Sequence, residues 1–496
     1  MRIRKVRLPR RDRLWAGTTV TRVLWGLDLP APDEVRARIA DAQRTHPGSR
    51  FGCRVDGAGR LYPVPAECRE EFLASVVATS PEESPGVVTS PGEPPGGATP
   101  SGELPGERSA AEAGVPFTVT MGPSWVVLAY PHMVFDGRTA LEFLAGLLGP
   151  DPDRLSRLIG RRECVLPVLQ AGVNTYLRHP GAVLRLAREP RPRPVTAPDG
   201  TTAPGAGAAP GAGAAPGAGA ATREYSAPVP GAPRAPACLY RVSHPDLLPE
   251  LRSWRDRHAP GVSVASILFS RFATAFGEAF GASGHPARDG VVVLFDARRY
   301  LPSGRHVTGN FSAAVYVRPR DLRDPVAMGE VLRSVAASGR PLAAMALACL
   351  TPTAPSAPTA TGPTSSAAPT PTGPGVAVDL PSPLLAFSHV GRADALAGLP
   401  WSGGPEDMRI AVSATPPGAE GLTVNLLEGG GRLHVSASFH DAVFPPTVVA
   451  GAIAAVLGEE SPASQSAGGR PVGGRRIVGS HARRGPGSPH PSAGSS

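Results

Sequence analysis

The chain reads as a mixed α/β (α+β) protein built as two similar lobes, and three observations predict this. Strands and helices alternate along both halves. Between the halves lies a segment around the near-perfect repeat APGAGAAPGAGAAPGAGA, which has no large side chain to bury. The first half also contains a sharply defined strand-turn-helix: the apolar run Trp125–Tyr130 (WVVLAY), the turn PHMVFDG, and a segment with Ala140, Leu141, Phe143, Leu144, Leu147 and Leu148 at helical spacing.

Taken in order, TTVTRVLWGLDL predicts a strand. A helix follows from Pro32 to about Arg44, with Asp33 and Glu34 in its first turn and Val35, Ile39 and Ala42 on one face. FGCRVDGAGRLYPV predicts a hairpin turning at Asp56 and Gly57. Strands around FTVTMG and WVVLAY, then the turn and its helix, complete this lobe. In the second half, Leu247–His258 and Ser263–Phe280 predict consecutive helices, the latter capped by Ser263. VVVLFDARR and FSAAVYVR predict strands, and a single helix is expected from about Val326 to Ala348. The strand LLAFSHVG, three strands within Arg409–Phe439 and a helix over Thr447–Leu457 are then expected to finish the second lobe.

The division expected is an N-terminal lobe over 1–188 with a flexible insertion at 80–113, a linker over 189–236, a C-terminal lobe over 237–458 with an insertion at 351–374, and a disordered basic tail over 459–496. The net charge of +9 belongs to the ends: Met1–Arg13 carries seven basic groups and one acid, and the tail carries five arginines after Glu460, so the body is nearly neutral. Both ends read as solvated, and neither nucleic acid nor a membrane is expected as a partner. No run of about 18 apolar residues exists to span a bilayer, and MRIRKVRLPRRDR has no apolar core of a secretory signal. A cytoplasmic, monomeric protein is the expectation. Five cysteines without CxxC spacing and the absence of HExxH indicate neither a disulfide framework nor a metal site. Lys5 is the only lysine and has no glycine-rich loop around it, which excludes a Walker-type nucleotide hydrolase.

Chemistry concentrates at His132 and Asp136, four residues apart on the turn after an apolar strand. There an imidazole can be held rigidly and face a cleft while the carboxylate fixes the backbone beneath it. HPARDG, His285–Gly290, has the same spacing but follows GASG and contains Pro286, so it reads as a loop coincidence. A serine hydrolase would need a GxSxG elbow, and the nearest strings, GPSWV at Gly122 and GVSVA at Gly261, lack the final glycine.

Three segments, in this order, resemble the chloramphenicol acetyltransferase-like superfamily, above all the condensation domains of nonribosomal peptide synthesis and related stand-alone acyltransferases. PHMVFDG resembles the family's HHxxxDG. DARRYLPSGRHVTGNFSAAV resembles its stretch in which an arginine is followed by a Gly-Asn/Phe turn, and AFSHVGR resembles a strand bearing a serine near the active-site tunnel. The resemblance covers about Thr18 to Gly458 less the insertions, and implies two lobes, each a mixed sheet with helices, with the tunnel between them. It implies His132 as the catalytic histidine, Asp136 as a structural carboxylate paired with Arg298, or failing that Arg299, Gly137 as a position of close backbone approach, Ser388 as a substrate-binding or oxyanion donor, and Asn310 as a turn residue. Pro131 stands where the family has its first histidine, and the DFGWG motif of plant acyltransferases is absent.

The activity so implied is transfer of an acyl group from a thioester, carried on a phosphopantetheinyl carrier protein in trans or on coenzyme A, to an amine or hydroxyl of a small-molecule acceptor in natural-product biosynthesis. No tightly bound cofactor and no metal are expected. The alternative is a non-catalytic relative that uses the same cleft to bind a carrier protein or intermediate.

Overall fold

The computed structural model describes residues 6–81, 114–188, 236–282, 289–350, 384–416, 418 and 420–458, all within the unit Met1–Glu459. The strands of the first half are β1 (Val6–Arg7), β2 (Thr19–Trp25), β3 (Cys53–Val55), β4 (Arg60–Pro63), β5 (Val77–Thr79), β6 (Thr118–Met121) and β7 (Trp125–Pro131). Those of the second are β8 (Pro236–Val242), β9 (Val291–Asp296), β10 (Ser312–Val317), β11 (Leu384–Arg392), β12 (Arg409–Ala414), β13 (Gly421–Gly429) and β14 (Arg432–His440). They form a five-stranded sheet, β12-β2-β7-β6-β5, a six-stranded sheet, β10-β9-β11-β13-β14-β8, and a small sheet, β1-β4-β3. Both large sheets mix orientations: β5 runs parallel to β6, and β11 runs parallel to β9 and β13, while the remaining pairs are antiparallel.

Each sheet buries an apolar face under helices. In the first lobe Val35 and Ile39 of the helix Pro32–Thr45 and the stripe of the helix Gly137–Leu148 close over β2, β6 and β7, with Phe51, Phe117, Phe135 and Phe143 between them. In the second, the helix Val264–Ala282 sets Phe272, Phe276 and Phe280 against Phe387 and Phe444, and the helix Pro446–Leu457 adds Val449 and Ile453. Aromatic rings of this size each remove a large apolar area from water, alongside the more numerous Val, Leu and Ala of both cores.

Four expectations are corrected. The first of the three strands within Arg409–Phe439 does not join the second lobe's sheet; β12 instead pairs antiparallel with β2, Val412 opposite Arg22. Its outward N–H groups then need acceptors, because an edge strand leaves every second amide unpaired. Ile410 donates to the Tyr240 hydroxyl (3.2 Å), Val412 to Ser436 Oγ (2.9 Å) and Ala414 to Ser438 Oγ (3.1 Å). Second, the helix expected over 326–348 is two helices, Pro325–Ser338 and Arg340–Leu350. Gly339 between them has φ +71°, and a Cβ there would stand 2.7 Å from the Tyr176 hydroxyl, so only glycine makes this break without strain. Third, the N-terminal segment is not simply a solvated end: in the helix Arg10–Arg13, Arg11 and Asp12 are buried. Fourth, helices at Arg154–Ile159, Pro167–Gly172 and Pro180–Arg188 follow the first lobe's sheet where no element was expected. The expected linker lies outside the described residues except for Pro236, which opens β8. The first insertion does so except for 80 and 81, and the segment 351–374 and the tail lie outside them entirely.

Candidate active site

The turn after β7 is built by backbone bonds before any side chain acts. His132 N donates to Thr18 O (2.7 Å), prolonging the β2–β7 ladder by one residue, and Val134 N donates to Pro131 O (2.9 Å). Pro131 is itself the last ladder residue, opposite Thr19, so the position that carries the resembling family's first histidine here ends a strand. Asp136 caps the helix Gly137–Leu148, its Oδ1 accepting from Thr139 N at 3.1 Å.

Beneath the turn, Asp136 Oδ2 accepts from Arg298 at 2.6 Å; the carboxylate is buried and the guanidinium largely so, and Arg298 also reaches Asp296 Oδ1 (3.3 Å), Val307 O and Gly309 O (2.9–3.0 Å). One guanidinium thus ties the His132 turn to the loop 307–309. Burial by itself would raise the Asp136 carboxyl; Arg298 and the Thr139 amide outweigh it and hold the group below its ordinary value. Arg299, the other candidate partner, is exposed and lies near the Tyr300 ring. Asn310 comes next on the loop, and its amide nitrogen donates to the His132 carbonyl and lies 2.8 Å from the ring Nδ1. A second buried pair, Arg50 with Asp12 (2.8 Å), supports both segments: Arg50 also donates to Val134 O (3.0 Å), and Arg11 donates to Asn310 O (3.2 Å).

His132 is half-buried, with the Trp15 ring 4.5 Å from its own and tilted by 32°. Burial lowers its pKa and the Arg22 charge adds to this, against the raising effects of Asp136 and of the carbonyls of His132 and Phe135. The imidazole is therefore neutral at physiological pH.

His132, Asp136, Gly137, Arg298 and Ser388 all border a single cavity of about 690 Å³ between the two large sheets. Alternate residues of each sheet line it: Val20, Arg22, Tyr130, Val412 and Ala414 from one, and Leu294, Ala314, Ala386, Ser388, Thr423 and Asn425 from the other. Gly137 does not have a left-handed backbone; its reason is space, since a Cβ there would stand 2.8 Å from the Arg22 guanidinium and 3.3 Å from Val390. Ser388 is half-buried, and its hydroxyl makes no hydrogen bond with other described residues. Asn310 is buried behind the histidine rather than on the cavity wall. His285 lies outside the described residues.

Sequence reasoning missed Trp15, Arg22 and Tyr130. Counting charge over the first thirteen residues hid the Leu14–Trp15 pair that follows directly. Arg22 and Tyr130 had a usable signal: Arg22 shares a strand face with Val20 and Leu24, where an arginine is out of place on a buried sheet. Among the described residues no group of three His, Cys, Asp or Glu side chains is arranged to hold a metal ion, and no helix is long and apolar enough to cross a membrane.

No protein-family model matches the chain, and a search of curated proteins finds no match either. Solved structures do match. The trichothecene 15-O-acetyltransferase TRI3 from Fusarium sporotrichioides aligns over 91% of this chain and 95% of its own at 11% identity, with a TM-score of 0.51. TRI101 from F. sporotrichioides, solved with coenzyme A and T-2, aligns over 89% and 96% at 12% identity and 0.47. Polyketide synthase associated protein 5 from Mycobacterium tuberculosis aligns over 92% and 98% at 11% identity and 0.46. The first match and the sheet arrangement place the chain in a fold class: it has the two-lobed chloramphenicol acetyltransferase-like fold, two mixed sheets with helices.

Proposed function

We propose that this chain is an acyltransferase that moves an acyl group from a thioester to an amine or hydroxyl of a small-molecule acceptor. The observation that carries the proposal is the placement of His132: a neutral imidazole on a turn braced by two buried ion pairs, bordering a cavity of about 690 Å³ between the sheets. A cavity of this volume accommodates a drug-sized ligand. By its name the structure aligned at a TM-score of 0.51 is an O-acetyltransferase, which favours the same reaction class.

In the reaction, a proton on His132 Nδ1 leaves the Nε2 lone pair free to take the acceptor's proton; this tautomer requires the Asn310 side-chain amide to turn its otherwise unpartnered oxygen toward Nδ1. The acceptor nitrogen or oxygen forms a bond to the thioester carbonyl carbon. The carbonyl oxygen becomes an oxyanion, which we assign to the unengaged hydroxyl of Ser388. As the oxyanion collapses, the carbon–sulfur bond breaks and the thiolate leaves, recovering the proton from the imidazolium. The carbonyls of His132 and Phe135 favour the protonated ring and so stabilise it between the two proton transfers. Asp136, Arg298 and Asn310 position the turn. The donor is coenzyme A or a phosphopantetheinyl carrier protein, and the setting is natural-product biosynthesis.

The test is thiol release from acyl-CoA thioesters and from an acylated carrier protein, with amine and alcohol acceptors, for the wild-type chain and His132→Ala. Acceptor-dependent thiol release that disappears in the variant is the expected result. Tight binding of carrier protein without thiol release would instead select the non-catalytic reading, for which Pro131 at the first motif position is the supporting observation.

A further inference from the structure

One fully buried charged group in the cavity has no counter-charge. Six arginines border the cavity, against four carboxylates. Arg138 and Arg161 share Glu142 (3.9 and 2.6 Å), Arg298 holds Asp136 (2.6 Å) and Arg392 faces Asp394 (3.1 Å), while Arg154 donates to the Ala395 carbonyl (3.1 Å). Arg22 is different. It is 2% exposed, its Nε donates to the Tyr130 hydroxyl at 3.2 Å, one terminal nitrogen is buried without a hydrogen-bond partner, and no carboxylate pairs with it among the described residues.

A guanidinium does not lose its proton inside a protein, so this site holds a fixed positive charge out of water. Such a charge is costly to bury unless something compensates it. Nothing in the described structure does so, and the group lies on a cavity wall where a ligand can. A second donor converges on the same place. The Tyr130 hydroxyl accepts from Arg22 and donates to no described residue, and burial pushes its pKa up, so it keeps its proton. Gly137 adds the space, since any side chain there would meet the guanidinium.

We propose that Arg22, with the Tyr130 hydroxyl, receives a carboxylate carried by the substrate and seated in the cavity beside His132. A carboxylate is planar and offers two oxygens to a planar fork of donors, which makes it the anion this pair fits. The phosphates of coenzyme A do not qualify: the length of the pantetheine arm separates them from a thioester presented to His132. The carboxylate belongs either to the acceptor or to the acyl group, and the two sources are separable by experiment. The inference deepens the acyltransferase reading and rests on it for the word substrate, but its test measures binding alone.

Isothermal titration is run with acetate, butyrate, hexanoate and octanoate, each against its primary amide, and with succinyl-CoA against butyryl-CoA, a pair that differs in the terminal carboxylate. Wild type is expected to prefer the charged member of at least one kind of pair by about tenfold or more. Preference among the free acids places the carboxylate on the acceptor, and preference for succinyl-CoA places it on the acyl group. In Arg22→Met the preference should vanish; in Arg22→Lys, which keeps a charge without the fork, it should fall but persist. Equal binding of acid and amide and of both thioesters by wild type overturns the proposal. So does an acid preference that survives in Arg22→Met, including the case where that variant loses turnover, which would put Arg22 on the oxyanion. Should Arg22→Met fail to fold, the wild-type pairs and Arg22→Lys decide. A chain that transfers no acyl group at all can still pass or fail this test, so the two readings fail separately.

Discussion

Arg298 and Arg22, both at the His132 turn, are solvated by the protein in opposite ways. Arg298 sits between two carboxylates, Asp136 and Asp296, and its remaining donors reach carbonyls at 2.9–3.0 Å; Arg22 has a single hydroxyl. A fully satisfied buried cation holds two segments together and has nothing left to offer a ligand. An unsatisfied one adds little to the fold, and its interaction free energy is still available. The contrast separates scaffold from binding group on geometry alone.

His132→Ala gives the largest effect, because it removes the group that both arginines frame. Acyl transfer should fall by about 10²- to 10⁴-fold, the usual worth of a positioned general base. Thermal unfolding should be nearly unchanged, because the ring borders the cavity and is only half-buried. A variant that transfers at the wild-type rate sinks the assignment.

Asp136→Asn removes the shorter of the two carboxylate contacts of Arg298 and leaves the other, Asp296 at 3.3 Å. Chemical denaturation should show a loss of up to about 3–5 kcal/mol, the range for breaking a buried pair, reduced by what Asp296 retains, with the rate falling as the turn loosens. The acid dependence carries its own sign. The folded-state pKa of Asp136 lies below its ordinary 3.8, so its contribution is present above that value and is lost as pH falls through the lower, folded value. Asp136→Asn should lack this component, and a stability equal to wild type at neutral pH would remove the pair from the scaffold.

Gly137→Ala reaches the other arginine. The new methyl would press on the Arg22 guanidinium and Val390, so a destabilisation of about 1–3 kcal/mol is expected. In the Arg22→Met background that cost should shrink, and a double-mutant cycle measures the coupling. Strictly additive effects would show that the two residues do not meet.

Arg22→Met by itself is the smallest perturbation and has the opposite sign to Asp136→Asn. With no ligand present, it should leave the midpoint of thermal unfolding unchanged or raise it by the equivalent of about 1 kcal/mol, since it removes an uncompensated buried charge. It should also move the acid limb of kcat/KM upward toward 6.5, the ordinary histidine value, because Arg22 is one of the causes that lower the His132 pKa. A marked loss of stability would mean that Arg22 belongs with Arg298.

The strand-turn-helix from Trp125 to Leu148 was legible because every signal for it is local: a continuous apolar run, a capping aspartate and a helical stripe. The two mixed sheets with helices followed from the same kind of pattern. The partner of β12 was not legible, because alternation along a strand says which residues face a core but not which sheet the strand joins. The break between the two helices of 325–350 had a local signal, Gly339 followed by Pro341, masked because the segments on either side are both apolar. Arg22 was marked by its place on the strand face of Val20 and Leu24, but what it borders was not legible, because the cavity is made by two sheets closing on each other. At the N-terminus, a count of charges could not distinguish Arg11 and Asp12, which are buried, from their solvated neighbours.

The placement of β12 also bears on how the chain is made. On the ribosome, β2 and β7 emerge early, but the outer edge of β2 has no strand to pair with until Arg409–Ala414 has been synthesised. Throughout that interval the nascent first lobe presents an open, strongly apolar strand edge, the kind of surface that recruits other chains. When β12 arrives it closes that edge, and Tyr240, Ser436 and Ser438 cover its own far side with hydroxyl oxygens. The first lobe's sheet is therefore completed late, by a strand made only after β8–β11, most of the strands of the second lobe's sheet.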